Sequence, residues 1–480
     1  MTIPAGRLRA ACTAALLSAG MLSAQTANQS SAQSPYYGSV TVVKPTDGVK
    51  PLTLDQAVGL GIEHNLALIE ARQEELSVKA QTSESLQSLL PTITAQADSG
   101  AHSINLAALG FSSKLLVNAA SLFPGLDVST IPTVVKVNVT DAMVNYSQTL
   151  FSLSNIDTYR AAKANERAAY FSRQSSRGLV VLTVGNAYLQ TLALGAQVDN
   201  AKALLEADQV LLNQAVAEHQ AGTAANLDEL RARVQFQTQQ QAVVTAEVNF
   251  AKAKIALNRE IGLPAEQEIQ LTDTAPYADL ATMNIDEAKR MAYQNRQDYQ
   301  GLQAQVRAAL LQRRAARWER LPTLDFQGNY GVTGVTGGLY HGTFVAAGSL
   351  NLPLFEEAKF RGDSGVAAAN LTNLTEQLAS LKEQINAQLR DSILDVQSAT
   401  ELVRVAQSNV ELARKELEQT TDRFQAGVDD NLPVVQAQAT LADAETTLVN
   451  TTSQHNQAKL GLARNLGIVD TQYATYVHGN

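Results

Sequence analysis

The sequence predicts a mainly α-helical chain with a smaller β part, built as two copies of one strand-and-hairpin unit. Three observations predict it. Between Pro132 and Pro264, and again between Pro353 and Pro433, there is no proline, and the composition is rich in Ala, Gln and Glu, which suits long helices. Short alternating stretches, such as TLDFQGNY at 323–330, put Leu324, Phe326 and Tyr330 on one face and Asp325, Gln327 and Asn329 on the other, the period of a strand. The same marks also recur at two fixed spacings, the signature of a duplication.

The repetition is specific. Residues 54–57, LDQA, match IDEA at 285–288, and the same spacing of 231 carries Leu90-Pro91-Thr92 onto Leu321-Pro322-Thr323 and Gly100 onto Gly331. Farther along the spacing is 205: HQAGTAANLDELRA at 219–232 returns as FQAGVDDNLPVVQA at 424–437, and Ile261-Gly262 returns as Leu466-Gly467. One change of spacing leaves 26 additional residues in copy one, within 101–149. Copy one is expected over 52–270 and copy two over 284–468, with a linker at 271–283 and a C-terminal tail at 469–480.

Ahead of the copies, residues 1–24 have the form of a signal peptide: Arg7 and Arg9, an apolar run from Ala10 to Leu22, then Ser23-Ala24. That run is shorter than the roughly 20 residues a spanning helix needs. Residues 25–51 form an N-terminal linker. The one cysteine, Cys12, falls inside the signal, so the mature chain is expected to lack disulfides, cysteine–zinc sites and thiol nucleophiles. Past residue 25 no 18-residue apolar stretch is found, so membrane contact is expected to do without transmembrane helices. A net charge of −9 argues against nucleic acid, whose binding needs a basic footprint.

Each copy runs through the same elements. A helix (53–89, 284–320) stops at Leu-Pro, where Pro91 or Pro322 ends the helical run. A strand follows, then a loop, then a second strand at 135–150 or 341–352. The stretch 135–150 changes parity near Asp141, where a bulge is expected, and the two second strands are expected to end in Phe151 and Phe355. GVTGVTGG at 331–338 lies between two strands, which fits a flexible hairpin loop better than a phosphate cradle. Two long helices close each copy, at 155–220 and 224–261, then at 362–425 and 432–466. The first would span about 65 residues, on the order of 100 Å at ~1.5 Å per residue. Gly222 and Gly427 supply the reversals between them.

Four strands of this length can cross a bilayer with one face to lipid and one to a wet lumen. A soluble sheet packed on a helix shows the same alternation. If the strands span, their two edges need partners, because hydrocarbon leaves no unpaired backbone group satisfied. Three chains would supply twelve strands and a ring of long hairpins.

With these marks the chain resembles the TolC-type outer-membrane efflux protein family. The resemblance rests on the LDQA and IDEA helix starts, the two Leu-Pro turns into strands, QTLF and LPLF at the strand exits, and the two Ala-Gly tips followed by Leu, over roughly 52–468. It implies a trimeric 12-stranded outer-membrane β-barrel continued by a long α-helical periplasmic tunnel. It also implies docking of the tips on a periplasmic adaptor (membrane fusion) protein and an inner-membrane RND pump or ABC exporter. No cofactor and no catalysis follow from it. The different class that remains is a periplasmic or secreted coiled-coil structural protein without a pore, against which the strands and the apolar insert speak.

Catalytic and metal chemistry find no support in the motifs. The six histidines show no i,i+4 pair and no HExxH, and neither GxxxxGK[ST] nor GxSxG occurs. RRAARWER at 313–320 fits a solvated helix end or a membrane surface, where Trp318, with Phe151 and Phe355, would join an interfacial aromatic girdle against outer-membrane lipid; buried packing explains the two phenylalanines equally well. At the tips, the resemblance implies acids that narrow the periplasmic mouth. Asp228 stands where one is expected; in copy two Pro433 and Gln436 stand there instead, and Asp429 and Asp430 take the candidate role. Surface acids capping a helix are the other reading. The candidate docking residues are Ala221, Gly222 and Thr223 in copy one and Ala426, Gly427 and Val428 in copy two.

Overall fold

The structure is a computed structural model that describes residues 38–40, 45, 48–105, 107–108, 134–223, 225–273, 277–280, 283–335 and 338–478. The signal peptide, most of the N-terminal linker and the insert with Phe111, Leu115, Leu116, Leu122 and Phe123 lie outside the described residues. In order, the elements are β1 (Lys50–Leu52), α1 (Leu54–His64), α2 (Leu66–Gln87), β2 (Thr92–Asn105), β3 (Val134–Phe151), α3 (Leu153–Gln220), α4 (Asn226–Ile261), β4 (Ile269–Leu271), α5 (Ile285–Asn295), α6 (Gln297–Trp318), β5 (Thr323–Val335), β6 (Tyr340–Asn351), α7 (Glu357–Gln425), α8 (Leu432–Leu466) and α9 (Val469–His478). They form two compact units, one of residues 77–167 and 304–376, the other of the remainder.

The first of these units holds the sheet. Its four strands are antiparallel in the order β2-β3-β5-β6, so the copies meet where β3 pairs with β5. Register makes the two faces different. Ile93, Ala95 and Ala97 lie beside Tyr146, Val144 and Ala142, and these beside Phe326, Tyr330, Phe344 and Leu350. Tyr146 and Phe326 pack edge to face at 5.7 Å. The opposite face carries Thr94, Asp98, Asp141, Asn145, Asp325, Asn329 and Ser349, with Thr149 Oγ1 donating to Asp325 at 2.7 Å. The apolar face is the uncovered one: Ile93 is 65% exposed, Tyr330 72%, Phe344 73% and Leu350 72%. A soluble sheet would pack such residues against a helix.

Three strand details differ from expectation. The bulge lies between Thr149 and Phe151, while at Asp141 the ladder is unbroken, opposite Asp98 and Thr333. The parity change therefore inserts no residue; Val135, Val137 and Val139 simply share the face of Asp141. β5 runs on through Gly331–Val335, which the sequence assigns to a loop. A Cβ at Gly331 would lie 2.1 Å from the Ala142 carbonyl oxygen, so glycine here allows close strand approach. Phe355 does not end a strand, because β6 stops at Asn351 and Pro353 offers no N–H to continue the ladder.

In the other unit, each helix expected before a strand is two helices. The chain breaks at Asn65 (φ −66°, ψ 126°) and at Arg296 (φ −65°, ψ 118°), positions related by the spacing of 231. Asn65 Oδ1 accepts from the Ala67 amide at 3.0 Å and so starts α2. Arg296 instead binds Asp298 through Nε and Nη2, at 3.1 and 2.7 Å, and Gln388 Oε1 through Nη1 at 2.7 Å. Thr53, in a capping box with Gln56, and Asn284 start α1 and α5, which explains the LDQA and IDEA marks.

Against each break packs the end of that copy's last helix. α4 and α8 stop at left-handed glycines, Gly262 (φ +81°) and Gly467 (φ +80°). A Cβ would come within 2.6 Å of His64 Cβ at the first and of the Arg296 nitrogen at the second. Around these contacts lies the main core, with Leu52, Leu54, Val184, Tyr188, Leu257, Ile261, Ile385, Leu389, Leu460 and Leu466 buried. The two parallel strands β1 and β4 complete it, and Asp273 accepts from the Leu54 amide at 2.8 Å and lies 2.8 Å from the Tyr188 hydroxyl.

α3 also departs from expectation: it contains an 18-residue window of mean hydropathy 1.5, enough by length and composition to cross a membrane. That window is 44% buried within the chain, and Val180, Val181, Val184, Tyr188 and Leu189 of α3 enter the main core. The segment 469–478, expected as a tail, is helix α9; Lys459 donates to the Val477 carbonyl in its last turn at 3.4 Å and to that of Ala278 at 3.0 Å.

The hairpins pack by heptads. On α7, Ile385, Leu389, Ser392, Val396, Ala399, Val403, Ala406, Val410 and Ala413 are all buried, alternating steps of four and three. A second line, Leu394, Leu402, Val405 and Leu412, is exposed, as are Leu227, Leu230, Val234, Val244, Val248 and Ile255 on α4.

Gly262→Val and Gly467→Val should each sharply lower the melting temperature followed by circular dichroism, or prevent accumulation. Gly222→Val, at a left-handed glycine in open space, should cost only about 1–2 kcal/mol.

Candidate channel mouth

The two tips are the same turn built twice. In copy one the Gly222 amide donates to the His219 carbonyl and the Thr223 amide to that of Glu218, both at 3.0 Å. In copy two the Gly427 amide donates to Phe424 at 2.9 Å and the Val428 amide to Arg423 at 3.0 Å. This is the Schellman arrangement, which needs a left-handed residue; Gly222 (φ +75°) and Gly427 (φ +68°) provide it. Ala221, Gly222, Thr223, Ala426, Gly427 and Val428 are all exposed, and among the described residues no atom beyond the chain neighbours lies within 4 Å of a Cβ at either glycine. Room for an approaching chain is therefore present at both.

Behind the tips a small cluster joins all four long helices: Leu211 and Ala215 of α3, Ala232 of α4 and Val434 of α8, with Leu417 and Phe424 of α7 against them. Above it the acids do not stand free. Arg231 Nη1 lies 3.4 Å from Asp228 Oδ1 and 3.2 Å from Asp430 Oδ2, so one guanidinium bridges the two copies. Asp430 Oδ1 also accepts from the Leu432 amide at 3.1 Å, at the start of α8. Asn431, fully buried, donates to the Asp228 carbonyl at 2.9 Å, a second link between the copies. Asp429 belongs to a separate pair, 2.6 Å from Arg423 Nε of its own hairpin. His219 and Glu229 close the base of tip one at 2.6 Å.

The structure thus brings Asp228 and Asp430 together and holds Asp429 apart. Arg231 and Asn431 were not singled out in the sequence. Asn431 is the repeat partner of Asn226, but the signal at Arg231 was only its i,i+3 spacing from Asp228, common on any helix. Arg231 keeps about a third of its side chain exposed, so each pair contributes only about 0.2–1 kcal/mol. The link between the two copies through Arg231 is therefore weak.

The residues expected at the membrane surface sit in the other unit. Phe151 ends β3 at 47% exposure, and Phe355 is 94% exposed in the turn before α7. Trp318 is tied inward: its Nε1–H donates to Asp157 at 3.0 Å. Asp157 also receives Arg314 through Nε and Nη2, at 2.5 and 2.7 Å, and that guanidinium holds its buried carboxyl below the usual range.

Compared with known proteins, residues 57–263 and 289–468 match the sequence profile of the outer membrane efflux protein family, most of the chain. The chain belongs to that family. It is 25% identical over 337 residues to the pyoverdine export outer membrane protein OpmQ of Pseudomonas aeruginosa, covering 68% of this chain and 71% of that one. To the outer membrane protein TolC of Escherichia coli K12 it is 23% identical over 363 residues, 70% and 71% of the two chains. Among solved structures, a membrane protein from Pseudomonas aeruginosa superposes with a TM-score of 0.73 at 17% identity, over 86% of this chain and 93% of that one. CusC superposes at 0.72 and 14%, over 90% and 97%. VceC of Vibrio cholerae gives 0.70 and 16%, over 86% and 96%. The fold is that of the TolC-type channels, and the protein is an outer-membrane efflux channel that extends into the periplasm.

In this efflux channel, Arg231→Leu removes the bridge and leaves Asp228 and Asp430 side by side. Single-channel conductance in planar bilayers should rise severalfold, while thermal stability changes by no more than about 2 kcal/mol.

Proposed function

We propose that three copies of this chain assemble into one passive exit duct, each contributing four strands to a twelve-stranded barrel. The observation that carries this reading is the sheet: its apolar face is exposed, and among the described residues β2 and β6 each have a strand on one side only. In hydrocarbon such edges must be paired, and about eight strands is the smallest barrel that closes. The exposed apolar lines on α4 and α7 fit the same assembly, since a helix apolar on opposite faces packs on both sides. Exposed Phe151 and Phe355 fit the lipid interface.

The energy for transport comes from elsewhere. The tips, residues 221–223 and 426–428, receive a periplasmic adaptor, which couples the duct to an inner-membrane RND pump or ABC exporter. Their open glycines and small neighbours Ala221 and Ala426 support this by leaving room for an adaptor's backbone. In the trimer Asp228, Asp429 and Asp430 line the mouth. With Arg231 and Arg423 as counter-charges to the three acids they leave a ring of net negative charge, which favours cations. The matched family is one of transport channels, and the chain's own role is conduction, with no reaction performed.

Extracted in detergent, the protein should migrate as a heat-modifiable trimer and conduct in lipid bilayers; a water-soluble monomer without conductance contradicts this. Gly222→Val and Gly427→Val should leave trimer and conductance intact but reduce adaptor crosslinking and export by about tenfold or more. Unchanged crosslinking and export would remove the tips from docking.

A further inference from the structure

Behind the mouth, hairpin one contains a group that the exit-duct function does not use. Ala201, Asp208 and Ala215 follow one another at steps of seven on α3, and all three are buried, Asp208 to 2% exposure. Asp208 therefore occupies a seam position, where a heptad calls for an apolar residue. From α4, Gln235 Nε2 donates to its Oδ2 at 3.3 Å. Its Oδ1 has no hydrogen-bond partner among the described residues. One turn further from the tip, Gln239 reaches across the same seam to the Ala201 carbonyl at 2.9 Å. Leu211 and Ala215, in the cluster joining the four helices, lie within two turns of Asp208 toward the tip.

Among the described residues no counter-charge reaches the carboxylate. Burial and the Gln235 amide are the influences on its proton, and no ionisable side chain is among them. Of the charges along α3 and α4, Lys202 pairs with Glu247, Arg231 with Asp228 and Asp430, and Arg233 with Glu229, while Glu206 is exposed. On α7 and α8 Arg414 pairs with Glu445 and Lys415 with Glu411. A carboxylate here is buried without compensation, whereas a neutral carboxyl is merely a polar seam residue with one hydrogen bond.

We propose that Asp208 is a proton-operated catch in the seam of hairpin one: neutral, it lets α3 and α4 close behind the tip, and ionised, it loosens them. Burial raises its pKa from 3.8 to about 6. The raised folded value means that the packed seam holds the proton more tightly than the open one does. The stabilisation is thus complete below about pH 4 and is lost as pH rises through about 6. The mouth-proximal half of the hairpin is tightest in an acid medium and loosest at neutral pH. Its consequence for transport rests on the exit-duct function proposed above; the seam chemistry does not.

Hydrogen exchange on the full-length protein in detergent, from pH 5 to 8 and corrected for intrinsic rates, tests the catch. Amides of 201–215 and 232–243 should lose protection about tenfold between pH 5 and 7.5, with the loss levelling off above about 6. Asp208→Asn, a mimic of the protonated side chain, should stay protected throughout. Gln235→Leu removes the one donor that favours the ionised form and should move that levelling-off upward. The same pH profile in the native protein and Asp208→Asn, or lower protection of Asp208→Asn at pH 7.5, would overturn the proposal. Bilayer conductance measured in parallel should rise over the same interval in the native protein alone. Exchange as expected without conductance at any pH overturns the exit-duct function and leaves the catch standing.

Discussion

Backbone groups that four strands cannot pair among themselves govern the rest of this structure. Among the described residues, β2 and β6 each present an outer row of N–H and C=O groups with no strand beside it, next to an apolar face that is left exposed. In water that combination invites aggregation. In a bilayer it is half of a requirement, met when the edges of neighbouring copies pair and the apolar face meets lipid. The long hairpins follow the same logic, since α4 and α7 each bury one heptad seam and leave a second apolar line outside. One chain holds a well-packed core and a set of surfaces that only a further copy or a lipid can satisfy.

Duplication supplies the same local solutions twice, with different chemistry. Both copies break their first helix at the same repeat position, and both seat a left-handed glycine against the break. One break is set by an asparagine reaching its own backbone, the other by an arginine bound to Asp298 and Gln388. Both tips are Schellman turns with identical bonding, yet their acids are held differently: Asp228 shares Arg231 with Asp430, and Asp429 pairs with Arg423. Backbone geometry is repeated where the fold needs it. Side chains diverge around that shared backbone.

Legibility followed the same division. The long helices, the four strands, the two faces of the sheet and the left-handed glycines could be read, because periodicity, proline and glycine report backbone geometry directly. The breaks at Asn65 and Arg296 could not, since two unlike residues with no proline nearby give no common signal. β1 and β4, three residues each, are too short to alternate. The bulge beyond Thr149 was misplaced because a parity change and an inserted residue look alike until the partner strand is known. At the tips the acids were legible as acids, but Arg231 becomes a partner of Asp430 only through tertiary contact. Asp208 was invisible for a related reason: nothing in sequence distinguishes a buried seam carboxylate from a solvated one.

The most direct test of edge closure uses the absence of cysteine beyond Cys12. One cysteine placed at Gln96 on β2 can be combined with a second, scanned from Thr343 to Ser349 on β6, and the protein oxidised in native outer membranes. Closure by three copies predicts that at least one register yields a covalent trimer on denaturing gels, with each single-cysteine control remaining monomeric. Covalent species absent in every register, or an open ladder of products without a trimer limit, would contradict it.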